Sequence, residues 1–154
     1  MGHLAGAGVR HHAASAAGDA PLRIVALVER GRRGPRVLAE VLALAEAGAV
    51  EVTLIALVAH ATGRGCAVSP APLNDAIDEA ATDDLNAAAL RLPLSIPVVD
   101  RCVMRDGADP SLAEWVSEGQ FNVVVMAGRR WRPSRVPGVA DGLAELDGVE
   151  VRAV

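Results

Sequence analysis

Apolar residues follow two alternating patterns along the chain. Short runs that are almost continuously apolar predict five strands, at residues 22–29, 50–60, 96–105, 121–127 and 149–154. Between these runs, apolar residues recur every three or four positions, which predicts four helices, at residues 35–47, 74–92, 110–118 and 139–146. Strands that are apolar throughout must be covered on both faces, as in parallel sheets flanked by helices. The pattern therefore predicts an α/β fold with a five-stranded, doubly wound parallel sheet and helices on both faces.

Residues at the ends of the predicted helices support these boundaries. Pro35 suits the first turn of the first helix, and Gly48 suits its end. Asn74 is a favourable N-cap for the second helix, because its side-chain oxygen can accept a hydrogen bond from a free backbone N–H. Asp109 is predicted to cap the third helix, with Pro110 at its first position.

The first twenty residues differ from the rest of the chain. Residues 1–20 are rich in Ala and Gly and have no periodic apolar face, so we predict a disordered N-terminal arm. One α/β domain at residues 21–154 is expected to follow it. The arm lacks the positively charged start and apolar run of a secretory signal. No apolar stretch approaches the ~20 residues that span a bilayer.

Composition narrows the class of protein further. Hydrophobic residues make up 51% of the chain and charged residues 22%, which is typical of a globular domain. The net charge of −4 argues against nucleic-acid binding, which normally requires a basic surface. Two cysteines are too few for a disulfide framework. We therefore expect a cytoplasmic protein with no nucleic-acid partner and no membrane partner.

No pattern of residues indicates a catalytic or metal centre. His60, Cys66 and Cys102 do not have the spacing of zinc ligands, and are predicted to be a strand-end histidine and buried thiols. Ser134 lacks the G-x-S-x-G surroundings of an activated nucleophile, and Trp115 is predicted to lie in the core. Because no nucleophile, base and orienting partner occur together, we expect that the protein is not an enzyme.

Three segments resemble the universal stress protein family. They are RIVALVERG at residues 23–31, VTLIALV at 52–58 and VMRDGADPSLAEWVSEGQFNVVVMAG at 103–128. The last is similar to the family's valine-rich strand, Gly-Asp-Pro helix start and fourth strand. The resemblance covers residues 22–154 and implies the adenine-nucleotide α-hydrolase-like sheet, with strand order 3-2-1-4-5. It also implies a homodimer through the C-terminal strand at 149–154, and ATP binding in some members.

The family's phosphate-binding motif is altered in this chain. Members that bind ATP have Gly-x-x-Gly and then, after a spacer, Gly-Ser or Gly-Thr. If Ala127 takes the place of the first glycine, Arg130 stands at the second; if Gly128 does, Trp131 stands there. A side chain at these positions obstructs the approach of backbone N–H groups to phosphate.

Two further positions also depart from the family pattern. Gly138 is followed by Val139, so the hydroxyl that helps to hold phosphate is missing. Glu29 replaces the aspartate at the end of the first strand. We therefore predict a nucleotide or anion site formed by Val28, Glu29, Arg30, Leu57, Val58, Met126, Gly128, Arg129, Arg130, Arg132, Gly138 and Val139.

Arginines are concentrated in two loops that the implied strand order brings together. One set follows the fourth strand, at Arg129, Arg130, Arg132 and Arg135, and the other follows the first strand, at Arg30, Arg32, Arg33 and Arg36. Strands 1 and 4 flank the switch point at which open α/β sheets bind ligands. These side chains either form an anion-binding crevice or are ordinary solvated charges that pair with Glu29, Glu40 or Asp141.

Three functions follow as expectations. The first is a small cytoplasmic regulatory or stress-response domain, non-enzymatic, with weakened or absent ATP binding. The second is a binder of ATP, ADP or another phosphorylated ligand that uses the arginine crevice, with the adenine near Leu57 and Val58. The third is a structural module that assembles through a homodimer or binds a protein partner.

Overall fold

The computed structural model describes residues 20–63, 69–107, 110–128 and 139–154, excluding the side chains of residues 139–141. The strands are β1 (Leu22–Leu27), β2 (Val50–Val58), β3 (Val98–Arg105), β4 (Val123–Met126) and β5 (Glu150–Ala153). The helices are α1 (Gly34–Ala47), α2 (Ala71–Arg91), α3 (Leu112–Glu118) and α4 (Val139–Ala144), and a 3₁₀ turn at Gly31–Arg33 precedes α1. None of the helices in these residues is long and apolar enough to span a membrane.

All strand pairs are parallel, and the five strands lie in the order β3-β2-β1-β4-β5. The predicted fold class and strand order are therefore confirmed. The predicted arm at residues 1–20 lies outside the described residues, except for the exposed Ala20.

Strand β1 is the centre of the core, because it pairs on both sides and is covered on both faces. Ile24 and Ala26 face the apolar cluster formed with α1 and α2. Val25 and Leu27 face a second cluster that includes residues of α3 and α4. None of these four side chains is more than 4% exposed. Continuous apolar sequence in β1 thus reflects burial on two faces.

Two of the predicted helix starts are wrong. Helix α2 begins at Ala71, and its N-cap is Pro70, four residues before the predicted cap Asn74. Helix α3 begins after Ser111, whose hydroxyl accepts a hydrogen bond from the N–H of Glu114. The carboxylate of Glu114 accepts from the N–H of Ser111 in return, which lowers the pKa of Glu114 below its usual value. This reciprocal capping box satisfies two free N–H groups of the helix end.

The amino ends of β1 and β4 are joined by a compact set of contacts. The N–H of Arg23 donates to Asn122 Oδ1 at 2.8 Å, and the N–H of Asn122 donates to the Arg23 carbonyl at 2.9 Å. The Arg23 guanidinium lies 5.0 Å from the Phe121 ring centre and donates to the Gly119 carbonyl. Trp115 stacks on Phe121 at 4.9 Å, half-buried beside the smaller cluster that it was predicted to join.

Strand β5 forms one edge of the sheet and carries charged side chains. Arg152 is paired with Glu40 of α1 at 2.6 Å and with Glu150 at 2.8 Å. Hydrogen bonds to Glu40 and then Glu150 raise the pKa of the Arg152 guanidinium. Among the described residues, Glu40 pairs with Arg152 of β5, and not with the arginines of the loop after β1.

Gly34, the first residue of α1, is required by close approach of the backbone. A Cβ at this position would lie 2.6 Å from the carbonyl oxygen of Glu29, whereas a Cβ on Gly48 would meet nothing within 4 Å. Gly34→Ala is therefore expected to lower the free energy of unfolding by about 1–3 kcal/mol. Gly48→Ala, the control, is expected to change it by less than about 0.5 kcal/mol. Urea unfolding followed by circular dichroism measures both, and equal stabilities would contradict the predicted clash.

Candidate functional site

The described part of the predicted site lies at the carboxyl edge of the sheet. Leu57 and Val58 end β2, Met126 ends β4, and Val28 and Glu29 follow β1. The N–H of Val28 donates to the Ile55 carbonyl at 2.8 Å, so the chain stays beside β2 for one residue beyond the strand. Because all five strands are parallel, their carboxyl ends meet at this one edge.

Several predicted site residues fall outside the described residues. They are Arg129, Arg130, Arg132 and Gly138, together with Arg135 and Trp131 of the same loop. Val139 begins α4, but its side chain is not described. The convergence of the two arginine sets therefore stays a prediction.

The backbone N–H of Gly128 is used within the sheet. It donates to the Val154 carbonyl at 2.8 Å, and the N–H of Val154 donates to the Met126 carbonyl at 2.9 Å. These bonds extend the pairing of β4 and β5 beyond the last strand residues. A donor immediately after β4, where a phosphate would be expected to bind, is thus already satisfied.

Two arginines of the loop after β1 are paired with carboxylates. Arg30 forms an ion pair with Asp84 of α2. Arg33 lies 3.9 Å from Glu29, the pairing that was expected if these residues are ordinary surface charges. Both arginines are largely exposed, so these pairs contribute little to stability. Arg32 and Arg36 are exposed and make no ion pair with another described residue.

The exit of β2 is fixed to α2 by two contacts that the sequence did not reveal. Asn74 accepts a hydrogen bond from the N–H of Ala61 at 2.8 Å and donates to its carbonyl at 3.2 Å. His60 Nε2 and Asp78 Oδ1 are hydrogen-bonded at 2.6 Å. The i, i+4 spacing of Asn74 and Asp78 on one helix face was a signal for these contacts. Asn74 therefore anchors a loop in place of capping the helix.

The His60 ring and the Cys102 thiol are each hydrogen-bonded to a carboxylate. Within the described ranges, no group of three or more potential metal ligands occurs, and no hydroxyl or thiol bonds the His60 ring. The Cys102 thiol donates to Asp100 Oδ2 at 3.3 Å. Burial, and then Asp100, raises the pKa of this thiol to about 11, which keeps it protonated and unreactive near neutral pH. Cys66 lies outside the described residues.

No protein-family model and no curated protein sequence matches the chain. Solved structures do match it. A protein of the universal stress protein family from Burkholderia pseudomallei superposes with a TM-score of 0.63 at 19% identity, covering 86% of this chain and 94% of that one. For the universal stress protein UspA of Lactobacillus plantarum the TM-score is 0.62 at 14% identity, with 88% and 99% covered. The fold is that of the universal stress proteins.

A further universal stress protein was solved in complex with cAMP. It matches with a TM-score of 0.52 at 19% identity, covering 88% of this chain and 98% of that one. At these identities, the comparisons establish the universal stress protein fold alone. The expectation drawn from the three resembling segments is thus confirmed for the fold.

Removing the Asn74 side chain tests how firmly the β2 exit is held. Asn74→Ala leaves the half-buried N–H and carbonyl of Ala61 without their partner, so we expect a loss of about 1–3 kcal/mol in the free energy of unfolding. Asn86→Ala on the same helix is the control, because Asn86 makes one exposed hydrogen bond to Arg101. That variant is expected to stay within about 0.5 kcal/mol of the parent. Denaturant unfolding checks both, and an unaltered Asn74→Ala stability would contradict the anchor.

Proposed function

We propose that the chain is a small cytoplasmic regulatory domain of the universal stress type, non-enzymatic, that binds ATP weakly or not at all. The universal stress protein fold supports the type of domain. The weak binding is supported at the carboxyl edge of the sheet, where the Gly128 N–H is already hydrogen-bonded within the sheet.

The observation that carries the proposal is the hydrogen bond from the Gly128 N–H to the Val154 carbonyl. A phosphate bound at this edge would have to compete with β5 for that donor. The sequence is expected to weaken phosphate binding further, because Arg130 or Trp131 stands at the second glycine position of the family motif and Val139 stands where the motif has Ser or Thr. Loss of one charge-assisted hydrogen bond costs ~1.5–3 kcal/mol. That corresponds to a roughly 10- to 100-fold weaker affinity for each lost contact.

A non-enzymatic role is supported by the contacts of two side chains that could take part in catalysis, His60 and Cys102. The His60 ring is turned to Asp78 of α2, and no nucleophile is bonded to it in the described part of the chain. The Cys102 thiol is held by Asp100 with a raised pKa. We infer that both contacts serve the fold and not a reaction.

Two measurements test the proposal. The protein is purified without added nucleotide and denatured, and any released adenine nucleotide is identified by mass spectrometry. Calorimetric titrations with ATP, ADP and cAMP then measure affinity directly. We expect no released nucleotide and no binding of ATP tighter than millimolar. Stoichiometric ATP or ADP in the purified protein would contradict weak binding.

A second candidate is an anion or nucleotide binder that uses arginine side chains in place of backbone N–H groups. Its support is that Arg32 and Arg36 are exposed in the loop after β1, without an ion pair to another described residue. Guanidinium groups bind phosphate through paired hydrogen bonds. The complex of a universal stress protein with cAMP adds a precedent on this fold.

Paired substitutions test this second candidate. If arginines hold the anion, Arg129→Ala with Arg130→Ala is expected to weaken ATP or inorganic phosphate binding about 10-fold or more. Arg91→Ala with Arg101→Ala is the matched control, since it removes the same charge from α2 and β3. Calorimetry on both double variants decides the matter. Equal binding by the two variants would exclude the arginine crevice, because any loss of affinity would then follow from the change in net charge and not from the position of the arginines.

A further inference from the structure

One arginine of the loop after β1 is held by the helix that follows β2. Arg30 is a predicted site residue at the carboxyl edge of the sheet, and its guanidinium is ion-paired with the carboxylate of Asp84 in α2. The two residues are 54 positions apart, so the contact results from the packing of α2 beside the loop and not from local sequence. A carboxylate of the chain itself therefore binds one of the arginines on which anion binding would depend.

The backbone of the loop separates Arg30 from the arginines that follow it. Arg30 is extended, with φ −67° and ψ 152°, and Gly31 after it has φ +84°, a left-handed conformation that favours glycine. The chain then forms the 3₁₀ turn at Gly31–Arg33. Arg33, at the end of this turn, pairs with Glu29, whereas Arg30 pairs with α2. The loop thus presents Arg30 alone to the helix.

Asp84 lies at the border of the buried face of α2. The nearby Ala81, Leu85 and Ala88 are buried in the larger apolar cluster, which α2 shares with α1. Asp84 is half-buried, whereas Asp83 is exposed and makes no ion pair with another described residue. Packing of α2 on the sheet therefore holds the Asp84 carboxylate beside the loop and leaves that of Asp83 in solvent.

A carboxylate and a phosphate group compete for a guanidinium because both bind it through charge-assisted hydrogen bonds. The side chains of Arg30 and Asp84 are 67% and 36% exposed, so small anions can reach the pair. Exposed ion pairs are weak, and the pair can therefore open. While it is closed, Arg30 is not available to another anion, and the apparent affinity of the site falls in proportion to the closed fraction.

We propose that Asp84 is an internal competitor for the anion site, which holds Arg30 until a phosphate group replaces it. This inference rests on the second candidate function, in which arginine side chains bind the anion. It adds a regulation to that site, because a phosphate group gains the Arg30 guanidinium only when the pair with Asp84 is open. The competition also lowers phosphate affinity by a route that is separate from the altered glycine motif.

Chemical modification of arginine tests the ion pair without any ligand. The full chain is treated with phenylglyoxal, which reacts with accessible guanidinium groups, and peptide mass spectrometry measures the rate at Arg30. We expect Asp84→Asn to raise this rate roughly 2- to 6-fold, because the guanidinium is no longer held. Asp83→Asn is the matched control, since it removes the same charge one position away, and is expected to keep the parent's rate. Equal Arg30 rates in the two variants would overturn the proposal.

A conservative variant and two internal references separate the ion pair from damage to the loop. Asp84→Glu keeps a carboxylate and is expected to keep the slow rate at Arg30. Arg32 and Arg36 are exposed and make no ion pair with another described residue, so their rates are expected to be the same in every variant. A rise at all three arginines in Asp84→Asn would reveal a loosened loop and would overturn the proposal.

Protection by inorganic phosphate, at constant ionic strength, tests the competition itself. The phosphate concentration that halves the labelling of Arg30 is expected to be roughly 2- to 6-fold lower for Asp84→Asn than for Asp83→Asn. Equal concentrations would overturn the competition. If Asp84→Asn is labelled faster but phosphate protects Arg30 in neither variant, the ion pair stands, and the arginine site and the competition for it are both wrong.

The same comparison with ATP and with inorganic triphosphate distinguishes a nucleotide from a phosphate group alone as the source of the anion. The Asp84→Asn effect is expected with either compound, because the proposed competition concerns the phosphate oxygens and not the base. An effect of Asp84→Asn that is absent with both compounds would overturn the proposal.

Discussion

The burial of β1 on both faces and along both sides is the constraint from which the rest of the structure follows. Helices α1 and α2 must cover one face of the sheet, and α3 and α4 must cover the other. The interior is built almost entirely from Val, Leu, Ile and Ala, and no buried side-chain nitrogen or oxygen atom of the described residues lacks a hydrogen-bond partner. Open α/β sheets bind ligands at the carboxyl edge, and their outer strands have one side free to pair.

The layers of this fold could be predicted from the sequence because strands buried on both faces must be apolar throughout. The strand order could not be read from that pattern, and came from the resemblance of three segments to a known family. The predicted start of a helix was wrong where the sequence offers more than one capping residue within a few positions. Asp109 and Ser111 both qualify, and the Ser-x-x-Glu spacing of Ser111 and Glu114 was the signal that distinguished them.

The candidate site was predictable in position and only partly in chemistry. Parallel strands place Val28, Glu29, Leu57, Val58 and Met126 at one edge, as expected. The partners of the polar groups were not predictable, because Arg30 pairs with Asp84 across 54 residues of sequence. The bond from Gly128 to Val154 likewise depends on how far β5 continues beside β4. Such contacts depend on the packing of whole elements, which local sequence does not specify.

The contacts between Arg23 and Asn122 have a consequence for the order of events during synthesis. These residues are 99 positions apart, yet the backbone of Arg23 is hydrogen-bonded to both the side chain and the backbone of Asn122. A ribosome that adds ~5–20 residues per second needs roughly 5–20 s to reach Asn122 after it has added Arg23. Throughout that interval one side of β1 has no neighbouring strand, although the segment is almost wholly apolar. The nascent chain therefore presents an aggregation-prone strand edge that only its distant later half can cover.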